Sequence, residues 1–165
     1  MTHTDVIIAG GGPSGSLAAY ELARQGISVT LFEKAIFPRY KVCGAGLTHK
    51  ILKEIPFNIE AILETEIHTF TFSSGFKEVF TRYNADPLIY CTMREKLDAF
   101  LLAKAEEAGA KVFFGTRVTD FTQNKDGVEV NTANGLFRTR LLIGADGASA
   151  TVARRAGLRD SIMPG

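Results

Sequence analysis

Short apolar runs alternate with glycine-rich breaks along this chain, and the period of each run predicts its element. Val6-Ile7-Ile8-Ala9 is continuous, apolar and closed by glycines, which predicts a strand buried on both faces. From Ser14 to Gln25, Leu17, Ala18, Tyr20, Leu22 and Ala23 recur at helical spacing, and Gly26 follows as a C′ glycine. Ile27 to Phe32, with β-branched Ile27, Val29 and Thr30, predicts a second strand. Strand, glycine turn, helix and strand in this order make a βαβ unit, which is expected to cross over right-handed.

The middle of the chain breaks this alternation. Phe37 to Gly46, rich in Pro, Gly and basic residues, reads as a long loop, and Thr48 to Ile55 as a short helix. Phe70 and Phe72 precede Ser73-Ser74-Gly75, and Phe76 and Phe80 follow, which predicts a hairpin with one buried face. Leu88 to Cys91 predicts a strand. Arg94 to Ala108 predicts an amphipathic helix with Leu97, Phe100, Leu101, Ala105 and Ala108 on one side and Gly109 at its end. Lys111 to Phe114 predicts a strand. Val118 to Phe121, Val128 to Thr132 and Phe137 to Thr139 predict a small antiparallel meander turning at Lys125-Asp126-Gly127 and Ala133-Asn134-Gly135. Leu141 to Gly144 is expected to be a last buried strand, and Thr151 to Ala156 to begin a helix.

Composition narrows the class without naming a chemistry. The 165 residues correspond to about one domain at roughly 150 residues each. With 45% apolar and 22% charged residues, disorder and a disulfide-stapled miniature are excluded. Nineteen Lys and Arg against eighteen Asp and Glu leave a net charge of +1 with neither sign clustered, so nucleic acid is not an expected partner. Cys43 and Cys91 are too few for a disulfide framework and lack CxxC spacing, and His3, His49 and His68 suggest no metal site. The leader Met1 to Asp5 has no basic n-region, and its apolar run is too short for a signal or membrane segment. The expected compartment is the cytoplasm, with peripheral membrane contact left open.

Two segments carry chemistry. Gly10-Gly11-Gly12-Pro13-Ser14-Gly15 supplies GxGxxG after a buried strand and at the opening of a helix. Gly10 permits the tight turn, Gly12 lets a pyrophosphate approach the backbone, and Gly15 lets helix and strand pack closely. The helix N-terminus at Pro13 and Ser14 adds partial positive charge and, from Ser14 onward, orphan N–H groups. Glu33, followed by Lys34, closes the second strand 33 − 15 = 18 residues after Gly15. A carboxylate there accepts hydrogen bonds from ribose hydroxyls and repels a 2′-phosphate, so an ADP-containing dinucleotide other than NADP is expected. Near the far end of the chain, Leu141-Leu142-Ile143-Gly144-Ala145-Asp146-Gly147 runs from a strand into a turn, ahead of Ser149 and the basic helix containing Arg154 and Arg155.

This second segment resembles a flavin motif of the glutathione-reductase-type FAD proteins, in their aromatic-hydroxylase-like branch. The resemblance implies FAD as the cofactor, with Asp146 and Gly147 at the flavin side and Asp146 bonding a ribityl hydroxyl, a group NAD lacks. It further implies that Arg94 lies near the flavin or its pyrophosphate and that the backbone of Val118 meets the adenine. Phe37-Pro38-Arg39-Tyr40-Lys41-Val42-Cys43-Gly44-Ala45-Gly46-Leu47 is similar to the Pro-Arg-x-Lys-x-Cys-Gly-x-Gly segment of the geranylgeranyl reductase family. That implies a loop against the flavin lined by Cys43, Gly44 and Gly46. Ala45 stands where the family often has Gly, a change expected to matter little. Arg39 and Lys41 read as solvated loop charges or as contacts to a phosphate-bearing substrate.

The implied fold is α/β: a Rossmann-like FAD-binding domain over 1–165 with a central parallel sheet, a small antiparallel meander and an inserted β-hairpin. The implied activity is reduction of isoprenoid C=C bonds, by hydride from N5 of reduced FAD, on a small-molecule or lipid-linked substrate. NAD(P)H or another donor would supply the electrons. The alternatives are a flavin monooxygenase, disfavoured by the loop from Pro38 to Gly46, and a non-catalytic FAD-binding fragment. Family members carry a further flavin motif and a substrate domain, so the chain is expected to be an incomplete domain.

Overall fold

The computed structural model describes residues 3–148 and 150–158, so Ser149 of the second motif lies outside the described residues. β1 (His3–Ala9) pairs in parallel with β2 (Val29–Phe32) on one side and with β11 (Gly135–Gly144) on the other. β8 (Lys111–Phe113) flanks β2, while β10 (Gly127–Thr132) and β9 (Val118–Asn124) continue the sheet antiparallel beyond β11. The order is β8-β2-β1-β11-β10-β9.

The position of β1 explains its unbroken apolar run. Successive side chains of a strand point to opposite faces, and here both faces are covered. Val6 and Ile8 join Val29 and Leu31 against Ala19 and Ala23 of α1 (Pro13–Ala23) and Leu102 and Ala105 of α3 (Arg94–Glu107). Ile7, Ala9 and Phe32 face the other way, into a cluster with Val118, Val128 and Val130 of the antiparallel arm and Val152 of α4 (Thr151–Arg155).

Several expectations are corrected in this sheet and in the helices packed on it. The predicted strands Phe137–Thr139 and Leu141–Gly144 are one strand, β11, that pairs antiparallel with β10 and parallel with β1. The meander is therefore the antiparallel arm of the central sheet, and β11 is not fully buried, with Leu141 52% exposed. The buried face of α1 is made by Gly15, Ser16, Ala19 and Ala23 rather than by Leu17 or Tyr20. Small residues are needed there because the helix starts in contact with the glycine turn. In α3, Phe100 is only half-buried while Leu102 and the carboxylate of Asp98 are buried.

The chain divides into two compact units, residues 3–39 with 98–158 and, inserted between them in sequence, Tyr40–Leu97. The second unit holds a three-stranded antiparallel sheet in the order β3-β7-β4, formed by β3 (Gly46–Thr48), β4 (Leu63–Ile67) and β7 (Ile89–Thr92). α2 (His49–Glu54) is capped by the Thr48 hydroxyl, which accepts a hydrogen bond from the Ile51 amide at 3.4 Å. β5 (Thr69–Ser74) and β6 (Glu78–Tyr83) form the predicted hairpin. Its expected buried face is not formed: Phe72 and Phe80 stack at 5.0 Å on each other, both half exposed, and Phe76 at the turn is 97% exposed.

α1 ends as its sequence predicts. The Gly26 amide donates to the Ala23 carbonyl and the Ile27 amide to the Leu22 carbonyl, a Schellman pattern with Gly26 at φ +80°. A Cβ on Gly26 would meet nothing within 4 Å, so Gly26→Ala costs only the left-handed conformation, about 1–2 kcal/mol. The expected result is a melting temperature lower by roughly 2–4 °C per kcal/mol; an unchanged melting temperature would contradict the capping role.

Candidate FAD site at the ends of β1, β2 and β11

The glycine turn is held by steric constraints on one side and open on the other. Gly10, at φ +107°, donates its amide to the Phe32 carbonyl at 2.8 Å. A Cβ there would stand 2.4 Å from the Ala145 oxygen and 2.9 Å from the Asp146 Cα. On Gly15 a Cβ would fall 1.9 Å from the Gly10 oxygen. Gly12, the N-cap of α1 in extended conformation with ψ 179°, has nothing within 4 Å of its would-be Cβ. Gly10 and Gly15 are thus fixed by packing, while Gly12 borders free space beside the first-turn N–H groups, where an anion is stabilised.

Glu33 is no solvated strand end, being only 4% exposed. One carboxylate oxygen accepts from the Gly11 amide at 2.7 Å and the other from the Ala35 amide at 2.8 Å. Its backbone is held too, donating to the Phe113 carbonyl and accepting from the Thr116 amide. Each carboxylate oxygen retains capacity for another donor. Lys34, by contrast, is exposed. The side chain of Val118 is buried in the core, which leaves only its backbone for any ligand.

β11 delivers the third component. The Ala145 amide donates to the Ala9 carbonyl at 2.8 Å, so the ends of β1 and β11 lie side by side. Oδ2 of Asp146 accepts from the amides of Thr151 at 2.5 Å and Val152 at 3.2 Å, tying the turn to α4. Oδ1 is buried and, among the described residues, has no hydrogen-bond partner. A buried acceptor without a donor is costly unless a ligand supplies one, and a ligand hydroxyl is such a donor. Gly147 follows at φ +84°.

The remaining expected residues, Arg39 apart, belong to the second unit. Cys43 is exposed, with its sulfur 3.4 Å from the Ala45 amide, and Gly44 has open space where a Cβ would be. Gly46 opens β3, where a Cβ would be 3.0 Å from Ile89. Ala45 is at φ +45°, left-handed backbone that favours glycine, so replacing the family's Gly there costs strain rather than nothing. Arg94 opens α3 and is partly buried. Arg39 is not a solvated charge, since its guanidinium pairs with the buried Asp98 at 3.0 Å. Lys41 is exposed.

Sequence reasoning also missed Thr116 and Asn134. The Asn134 amide group donates at 2.7 Å to the hydroxyl of fully buried Thr116, whose own amide holds Glu33. Both sit in turns whose polar composition looks like that of any loop. Gly11 also has a packing role unassigned by the motif, as a Cβ there would be 3.1 Å from that of Glu33.

A glycine turn on a helix N-terminus, a buried acid at the next strand end and an adjoining Asp-Gly turn define a Rossmann-like dinucleotide-binding α/β fold. The family described as "FAD binding domain" matches residues 3–164, and the chain belongs to it. Its cofactor is FAD. The chain is 36% identical over 156 residues to an uncharacterised protein of Methanosarcina barkeri, covering 93% of this chain and 40% of the relative. It is 34% identical to the menaquinone reductase of Mycolicibacterium smegmatis, again covering 94% of this chain and 40% of the relative. A geranylgeranyl bacteriochlorophyll reductase-like protein from Thermoplasma acidophilum superposes with a TM-score of 0.87 at 27% identity, over 99% of this chain and 44% of that one. Relatives also include a digeranylgeranylglycerophospholipid reductase of Methanopyrus kandleri, 30% identical over 97% of this chain and 44% of the relative, and a tryptophan 2-halogenase of Chondromyces crocatus, 36% identical over 72% of this chain and 24% of the relative. The chain spans about two fifths of the length of the first relatives it matches.

The two glycines should separate in a stability measurement. Gly15→Ala drives a methyl into the Gly10 carbonyl and is expected to cost about 3 kcal/mol or more, comparable to the larger single-site losses. Gly12→Ala, on extended backbone with free space around it, is expected to cost under about 1 kcal/mol. Equal losses in urea denaturation would contradict the packing assignment.

Proposed function

We propose that this chain is the dinucleotide-binding part of an FAD-dependent oxidoreductase of the geranylgeranyl-reductase type, reducing carbon–carbon double bonds of an isoprenoid group. In this reading the Gly10–Gly15 turn and the N-terminus of α1 take the pyrophosphate, with Gly12 allowing its close approach. Glu33, already oriented by two amides, accepts the ribose hydroxyls. Lys34 borders that end, and the backbone of Val118 meets the adenine. Asp146 and Gly147 receive the ribityl chain, while Cys43, Gly44, Gly46 and Arg94 take the flavin-side roles implied by the family resemblance. When bound, FAD supplies the redox chemistry, hydride transfer from its reduced form. The residues here bind, orient and exclude water.

The buried, unpartnered Oδ1 of Asp146 carries the cofactor assignment, because it needs a donor that a ribityl hydroxyl would provide. The Pro38–Gly46 segment favours C=C reduction over hydroxylation, as do the reductases among the relatives. NAD(P)H or another donor would reduce the flavin. A lipid-linked isoprenoid would bring the protein to a membrane surface from the cytoplasm. No helix among the described residues is long and apolar enough to cross a membrane.

Glu33→Arg is expected to abolish flavin retention, read from the absorbance spectrum of the purified protein; a yellow variant would refute the ribose assignment. Asp146→Ala is expected to weaken FAD by roughly tenfold or more, the worth of one hydrogen bond to a charged group, and ADP far less. Equal losses for the two ligands would remove the ribityl role. The reaction class is tested by mixing the reduced full-length protein with a geranylgeranyl lipid without oxygen. Flavin reoxidation with a product two hydrogens heavier is expected; a product formed only with oxygen, and carrying it, would establish the monooxygenase instead.

A further inference from the structure

The sequence motifs give Asp98 no role, yet its carboxylate is fully buried on a helix face otherwise lined by Leu97, Leu101 and Leu102. Burying an ionised carboxylate is costly without a charged partner. Here Nη2 of Arg39 meets Oδ2 of Asp98 at 3.0 Å, with side-chain exposures of 17% and 0%. The guanidinium also lies 4.7 Å over the ring of Phe37, which packs on Phe114 at 5.6 Å. The cation is thus enclosed between an aromatic face and a carboxylate, where Arg is far better suited than Lys.

The place of this pair in the chain gives it meaning. The inserted unit is Tyr40–Leu97, so Arg39 is the last residue before the chain enters it and Asp98 the first after it leaves. We propose that Arg39 and Asp98 are positioning residues, forming a buried clasp within the first unit that fastens the residue from which the chain leaves it to the residue at which the chain returns, and so anchors the start of the segment that follows Arg39. The functional consequence rests on the assignment of Cys43, Gly44 and Gly46 to the flavin. An ion pair serves here where an apolar contact would not, because its hydrogen-bonded geometry specifies one arrangement.

Two readouts test the clasp on the full chain: trypsin cleavage after exposed Lys41 without FAD, and affinities for FAD and ADP. Asp98→Asn keeps the shape and removes the charge. Because that variant leaves Arg39 buried without its countercharge and could unfold, Arg39→Met with Asp98→Leu replaces the pair by apolar groups, a change that cores commonly tolerate. In the double variant, cleavage is expected to rise by about tenfold and FAD affinity to fall by about tenfold, the scale of one charge-assisted hydrogen bond. ADP affinity and melting temperature should stay near those of the parent. Cleavage after Lys41 at the parental rate in a folded double variant would overturn the clasp. Faster cleavage with unchanged FAD affinity would leave the clasp standing and instead remove segment 40–46 from the flavin site.

Discussion

Two backbone amides, from Gly11 and Ala35, converge on the carboxylate of Glu33 inside the protein, and that convergence fixes the glycine turn relative to the end of β2. Removing a charge from water is repaid only by well-placed donors, so the turn, the acid and Ala35 two residues beyond it must fold as one piece. The Gly10 amide on the Phe32 carbonyl and the Thr116 amide on the Glu33 carbonyl extend the same arrangement along the backbone. A ligand arriving at this corner meets an acceptor already oriented and desolvated, so little ordering is left for binding to supply.

The neighbouring β11 completes the corner. Gly10 has no room for a side chain because the Ala145 carbonyl and the Asp146 backbone press against it. Parallel pairing of β1 and β11 therefore brings together two turns that are far apart in sequence. Asp146 spends one oxygen on α4 and keeps the other buried without a donor. A structural cap would not need that second oxygen in so dry a place, and it is on this oxygen that the proposed ligand contact rests.

The βαβ unit, the glycine turn and Glu33 could be read directly from the residues, because continuous apolar strands, helical spacing and punctuating glycines are local signals. What escaped that reading was tertiary. β11 looked like two strands because Thr139 and Arg140 interrupt its apolar run; in the fold Thr139 is buried and bonds the Asp5 carbonyl at 2.9 Å, so a polar residue is accommodated within the sheet. No local pattern marks Asp98, since its partner lies 59 residues earlier, 98 − 39. β3 and β4 are short, with mostly exposed residues, and carry little hydrophobic pattern. The Phe-rich hairpin misled in the opposite sense, as alternating aromatics predicted a buried face and packed on each other instead.

The most direct examination of this account is a crystal structure of the chain with FAD. The account predicts ribose hydroxyls within hydrogen-bond distance of Glu33 and a hydroxyl donor on Oδ1 of Asp146, with the Gly11 and Ala35 amides still on the carboxylate. FAD bound elsewhere, or bound here with both carboxylates ignoring it, would contradict the claim that these strand ends are built to hold it.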